Sequence, residues 1–226
     1  MSAESPLRDG DRAGFELIET LRWEPVGGFV RLERHLARLY ASANELGFTC
    51  DPEKVGATLG NAVADAARSS QGALRIRLTL ASNGNAVATA QPFALQPNET
   101  VWTLRIARTR LNSHDPLLRY KTSRRSLYET ARAEFTHKQA DEVILLNERG
   151  EVCEGTITTL FVERDDDGSL LTPPLTCGLL AGVLRAQMIE TGKAREAVLT
   201  EAELRAAGGV FAGNSLRGLI RCKLTS

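Results

Sequence analysis

Apolar and polar positions alternate over 15–23 (FELIETLRW), a pattern that predicts a half-buried strand closed by a turn over 24–28. Over 34–46, Leu36, Leu39, Tyr40, Ala43 and Leu46 recur at helical spacing and predict an amphipathic helix packed on that strand. Asp51 followed by Pro52 has the form of an N-cap with proline at the first helical position, so a second helix is expected over 52–68. LRIRLTL at 74–80 alternates strictly, and the turn at 82–84 leads into a short strand at 86–90. Two prolines in QPFALQPNE then interrupt the pattern.

A strand over 101–107 is followed by a segment, 108–116, that reads as the connection between two domains. Beyond it the pattern predicts a helix over 123–137 and strands over 142–147, 151–153 and 158–163. DDDG at 165–168 has turn composition. Helices over 182–191 and 201–206 and strands over 209–213 and 217–223 complete the chain. Helices and strands mix without strict βαβ alternation, so the fold class is α+β in two mixed α/β domains, 1–110 and 111–226. No internal repeat or low-complexity tract interrupts them.

With 226 residues the chain can bury one large or two small cores. Lys+Arg and Asp+Glu both number 28, and this zero formal charge lacks the footprint of a nucleic-acid or polybasic membrane binder. No apolar run reaches the length of a membrane span, and MSAESPLRDGDRAG lacks a signal-peptide core, so a cytoplasmic protein is expected. Cys50, Cys153, Cys177 and Cys222 form no CxxC or Cys/His cluster, and His35, His114 and His137 are far apart. Reduced thiols and no bound metal are expected.

The chemistry concentrates between residues 115 and 161. Lys121 lies among Arg119, Arg124 and Arg125, just ahead of a helical pattern. Glu154 follows a strand, a turn and a second short strand. Taken alone, each reads as a solvated side chain. The basic cluster would also suit a phosphate backbone, although no interleaved aromatics support nucleic acid. The surrounding words carry more: YKTSRR, ADEVILLNERGEVCEGTITTLFV, LTPPLTCGLLAGVLR and VFAGNSLRGLI, in that order. They resemble the class IV (fold type IV) pyridoxal 5'-phosphate enzymes, the family of branched-chain and D-amino-acid aminotransferases and 4-amino-4-deoxychorismate lyase. The resemblance runs from about Phe15 to the C-terminus and is nearest to the lyase-like members, including those fused to aminodeoxychorismate synthase.

The resemblance implies a D-amino-acid aminotransferase-like fold with the cofactor between its two domains. It makes Lys121 the Schiff-base lysine and catalytic base, kept partly neutral by burial and by neighbouring cations. If the next helix starts near Lys121, Arg125 and Tyr128 lie on its face at i+4 and i+7, in reach of the ring or its 3'-oxygen, with helix packing an equal reading. Glu154 stands in a pattern similar to the family's TEG turn, with Cys153 in place of threonine, and would face the ring nitrogen. Arg38 in HLARL, the helix start at Gly182-Val183-Leu184 and the turn at Asn214-Ser215 correspond to the phosphate cup. Some relatives carry threonine where Leu184 stands. For substrate, Arg22 and Arg217 match arginines that would clamp a carboxylate, and Tyr120 and Thr158 would line the substrate side. Ser82-Asn83-Gly84 stands where D-amino-acid enzymes carry an arginine, which counts against that activity.

Two departures stand out. The glycine-rich approach to the first strand is reduced to DGDRAGF, and the chain stops soon after its last predicted strand. Both would leave the pocket more open or dependent on a partner subunit. The expected activity is 4-amino-4-deoxychorismate lyase, with a branched-chain aminotransferase as the alternative. By resemblance the enzyme is a homodimer, and aminodeoxychorismate synthase is its functional partner.

Overall fold

The computed structural model describes residues 14–163 and 169–225. The loose tail expected over 1–13 and the turn expected over 165–168 lie outside the described residues. The contacts divide the chain into two units, Met1–Leu95 with Tyr120–Arg124 and Gln96–Arg119 with Arg125–Ser226.

In the first unit, β1 (Leu17–Glu24), β2 (Gly28–Phe29), β3 (Leu74–Leu80) and β4 (Ala86–Pro92) form an antiparallel sheet in the order β2-β1-β3-β4. The register sets Leu17, Glu19 and Leu21 opposite Leu80, Leu78 and Ile76. These residues therefore share one face. Helix α1 (Leu32–Leu46) packs on β1, and α2 (Pro52–Ala67) packs on β3 and β4, burying Leu39, Ala43, Leu46, Val55 and Leu59. Each leucine so buried contributes about 2 kcal/mol. Asp51 caps α2 as its position before Pro52 predicted, accepting hydrogen bonds from Glu53 N (3.0 Å) and Lys54 N (3.3 Å).

Residues 120–124 join this unit by strand-like pairing. Thr122 lies opposite Leu17, Ile18 N–H donates to Lys121 O (2.8 Å) and Ser123 N–H donates to Glu16 O (2.9 Å). This differs from the expected boundary at 110, because the segment that carries Lys121 bonds to β1.

In the second unit the strands are β5 (Val101–Leu111), β6 (Glu142–Asn147), β7 (Val152–Gly155), β8 (Thr159–Glu163), β9 (Leu170–Thr172), β10 (Ala194–Glu196), β11 (Gly209–Asn214) and β12 (Gly218–Leu224). They form one mixed sheet in the order β10-β9-β8-β11-β12-β5-β6-β7. β5 extends to Leu111 and pairs in parallel with both β6 and β12, so the segment read as a domain connection is partly a central strand. Successive residues of β6 feed different cores. Ile144 packs with Trp102, Leu104, Leu160 and Ile220, while Val143 and Leu145 pack with Ala107, Leu111, Ala131 and Leu179. A strand buried on both faces reads as an apolar run, as EVILLN does.

Helices α3 (Ser126–Ala133), α4 (Val183–Glu190) and α5 (Glu201–Ala206) belong to this unit. α3 is shorter than the expected 123–137. Its start is set by the extended pairing of 121–123. At its far end Glu134 turns back to accept the N–H groups of Arg108 (2.6 Å) and Thr109 (2.8 Å). Replacing Asp51 by Ala should lower unfolding free energy by about 1 kcal/mol, read as a lower urea midpoint at unchanged slope.

Candidate active site

A buried carboxylate that the residue pattern did not single out organises the second unit's site. Glu142, 0 % exposed, begins β6. Its Oε1 accepts from Val143 N (2.8 Å), Thr156 N (3.0 Å) and Thr156 Oγ1 (2.6 Å), and its Oε2 accepts from Ile157 N (3.1 Å) and Thr158 Oγ1 (2.8 Å). A carboxylate suits five donors because it accepts and does not donate. Gly155 is required beside it, since a Cβ there would stand 2.8 Å from Glu142 Oε2. The turn after β7 is thus fixed atom by atom. Thr158, expected to line the substrate side, is buried and gives its hydroxyl to Glu142 instead.

Glu154 precedes this turn on β7 and is 4 % exposed. Its Oε1 accepts from Tyr128 Oη (2.7 Å) and Leu180 N (3.2 Å). Arg125 donates to Thr156 O and lies 4.9 Å from the Tyr128 ring centre. The shared helical face expected of Lys121, Arg125 and Tyr128 is not formed: Lys121 is extended, Arg125 is the N-cap of α3 and Tyr128 stands in its first turn. Burial, then the charge of Glu154 and their hydrogen bond, push the Tyr128 hydroxyl far above its ordinary range, so it remains a donor. Cys153 buries its thiol against Cys177 O (3.2 Å), and burial pushes that thiol up as well.

The two pieces of the expected anion cup in this unit lie together. α4 starts after Gly182 with no side-chain cap, and Arg185 anchors it by donating to Pro173 O (2.8 Å). The first N–H groups of such a helix have no intrahelical acceptor. Gly213 packs against that first turn, since a Cβ there would stand 2.9 Å from Leu184 Cδ2. Asn214 and Ser215 follow directly. Val183 and Leu184 are buried, Leu184 in a core with Phe161 and Met188, so Leu184 can offer its backbone N–H and not its side chain to a ligand. Asn214 Oδ1 accepts from Leu216 N (3.1 Å) and Arg217 N (3.0 Å), while its Nδ2 donates to Ile157 O (3.0 Å) in the Glu142-bound turn. Arg217 lies 5.7 Å from the Trp102 ring centre.

In the first unit, Arg38 Nε and Nη2 grip Glu19 Oε1 (2.8 Å) and Oε2 (2.6 Å), and His35 Nδ1 donates to the same Oε2 (2.6 Å). Burial pushes the Glu19 carboxyl up, but the Arg38 charge and the hydrogen bonds from His35 and Arg38 outweigh it and hold it at about 2. Arg38 is thereby oriented at the end of a planar two-point pair. Tyr120 donates its hydroxyl to Glu45. Arg22 pairs with Glu24 at 3.0 Å. Glu19 also escaped the sequence reading, although a charged residue at an inward position of FELIETLRW, with His35 and Arg38 three apart on a helix, was a usable signal.

Residues 16–224 match the family described as amino-transferase class IV. The chain belongs to the class IV aminotransferase family. It is 55% identical to a crystal structure from Mesorhizobium loti described provisionally as an amino-acid aminotransferase, with a TM-score of 0.89 over 93% of this chain and 100% of that one. It is 26% identical to 4-amino-4-deoxychorismate lyase from Pseudomonas aeruginosa, with a TM-score of 0.79 over 99% of this chain and 88% of that one. A relative in Schizosaccharomyces pombe, provisionally named an aminodeoxychorismate lyase, is 28% identical over 207 residues, 89% of this chain and 86% of the relative.

This class IV enzyme uses pyridoxal 5'-phosphate, and its fold is that of the fold type IV enzymes. The second unit fits the cofactor's demands: a buried, oriented carboxylate for a ring nitrogen, and an uncapped helix start beside a Gly-Asn-Ser turn for a phosphate. Among the described residues no group of acidic, His and Cys side chains is placed to hold a metal, and no helix is long and apolar enough to cross a membrane.

Glu19 has a folded-state pKa below its ordinary 4.5, so its stabilisation is present above pH 4.5 and is lost as pH falls through about 2. Unfolding measured across that window should show a loss on the order of 3 kcal/mol, which Glu19→Gln removes by lowering stability at neutral pH instead. Gly155→Ala should cost about 1–3 kcal/mol by overpacking against Glu142, read by urea unfolding.

Proposed function

We propose that this class IV enzyme is a 4-amino-4-deoxychorismate lyase, releasing 4-aminobenzoate and pyruvate. The observation that carries this reading is the setting of Arg217. It stands on the same turn as Asn214 and Ser215, braced through Asn214 Oδ1 and stacked on Trp102. A cation next to the anion cup suits a substrate with more than one carboxylate, and Arg22 is the candidate for the other. The nearly full-length likeness to the fission-yeast relative and to the Pseudomonas aeruginosa lyase supports the same choice.

When bound, pyridoxal 5'-phosphate supplies an aldehyde that takes up the substrate amine and a ring that accepts electrons. Lys121 holds the cofactor between turnovers and, once released, removes the proton from the amine-bearing carbon. Glu154 keeps the proton on the ring nitrogen. Arg38, the N–H groups of Val183 and Leu184, and Asn214 with Ser215 hold the phosphate. Arg22 and Arg217 clamp the substrate carboxylates, and Tyr120 lines the substrate side. As the enolpyruvyl group leaves the neighbouring carbon and the substrate ring aromatises, Lys121 returns the proton to the departing fragment, which becomes pyruvate. By family likeness the enzyme works as a homodimer supplied by aminodeoxychorismate synthase.

The 55% identity to the Mesorhizobium loti structure favours a second reading, amino-acid transamination on the same residues. The two differ in their need for an acceptor. Purified protein incubated with aminodeoxychorismate should yield equal amounts of pyruvate and 4-aminobenzoate with no keto acid added. Neither product, with keto-acid-dependent turnover of leucine or valine, would establish the aminotransferase. Under either reading Lys121→Ala should lower turnover more than about 1,000-fold and abolish borohydride fixation of the cofactor to the chain.

A further inference from the structure

We propose that Tyr128 is a positioning residue that acts through Glu154, its hydroxyl holding that carboxylate ionised and in the one orientation from which it keeps the proton on the cofactor's ring nitrogen. This rests on the reading of Glu154 given above and deepens it.

The argument is geometric. Tyr128 Oη and Leu180 N both converge on Glu154 Oε1, at 2.7 and 3.2 Å. One donor comes from α3 and the other from the segment leading to α4, so the two fix the carboxylate from different elements. The phenol is itself fixed. Its ring lies under the Arg125 guanidinium, and Arg125 is tied to Thr156 O, two residues beyond Glu154. Thr156 is held in turn by Glu142. A closed circuit therefore runs from Glu154 along its own turn, through Arg125, and back by way of the Tyr128 hydroxyl.

The chemistry requires such a donor. A carboxylate 4 % exposed is costly to keep charged, and each hydrogen bond to the charged form offsets part of that cost. A phenol suits the place because it donates without adding a charge that would compete for the carboxylate. If Glu154 took up a proton of its own, it would no longer be a charged acceptor for the ring N–H. Tyr128 and Arg125 also form part of the wall of a cleft of about 510 Å³, with Arg132, Glu142 and Thr156.

Tyr128→Phe in the full-length protein keeps the ring and deletes the donor. Relative to wild type, kcat should fall about tenfold or more with KM within about twofold. In the apoprotein, the carboxylate band isolated by infrared difference against Glu154→Gln should titrate at higher pH. Tyr128→Phe/Glu154→Gln should be no slower than Glu154→Gln alone, because the tyrosine acts only through the glutamate. Unchanged kcat and an unchanged band position in Tyr128→Phe, with Glu154→Gln crippled, would overturn the inference and leave the Glu154 reading intact. A Glu154→Gln enzyme of normal activity would overturn both. If Tyr128→Phe fails to fold, site-specific 3,5-difluorotyrosine at 128, a stronger donor, must move the band titration to lower pH. No movement would refute the proposal.

Discussion

The second unit's site depends on one expensive arrangement, a carboxylate held away from water by hydrogen bonds alone. Glu142 takes three donors on one oxygen and two on the other, all from Val143 or the turn at 156–158. Burying a charge is tolerable only when its acceptor capacity is filled, and here the backbone supplies three of the donors. The turn has no freedom to rearrange without exposing that charge. Glu154 on one side of it, Arg125 on its Thr156 carbonyl and Asn214 on its Ile157 carbonyl all take their places from it.

The first unit buries a carboxylate by a different method. Glu19 is matched by a guanidinium and an imidazole, and their charges and hydrogen bonds together outweigh desolvation and hold it at about 2. Removing one member of such a pair leaves an uncompensated charge, which is why ionic contacts of this type rigidify their surroundings. For Arg38 the result is a guanidinium whose plane is set by Glu19 of β1.

Much of this was legible in the residues. The strict alternation of LRIRLTL defined β3 to the residue, EVILLN defined β6, and Asp51-Pro52 marked the start of α2. The family words carried the cofactor class and fold. What escaped detection depended on partners distant in sequence. Glu142 sits before an apolar run and reads as an ordinary strand-edge acid until residues 156–158 fold over it. Thr158 reads as a substrate-side hydroxyl, and its hydrogen bond to Glu142 is invisible until the turn folds. The helical face shared by Lys121, Arg125 and Tyr128 assumes a helix start that tertiary pairing with β1 prevents. Sheet order was equally hidden, since β5 pairs with β12 across more than a hundred residues.

The pairing of residues 120–124 with β1 has a practical consequence. The backbone changes unit at 95/96, 119/120 and 124/125, so five residues that lie in sequence within the second unit bond to β1 of the first. No single scission of the gene yields two whole modules. Recombination at residue 110 would sever β5 from its continuation and strip β1 of the backbone partner of Leu17 and Ile18. The lysine-bearing peptide is an inlaid piece, taken from the middle of one unit's sequence and folded into the other.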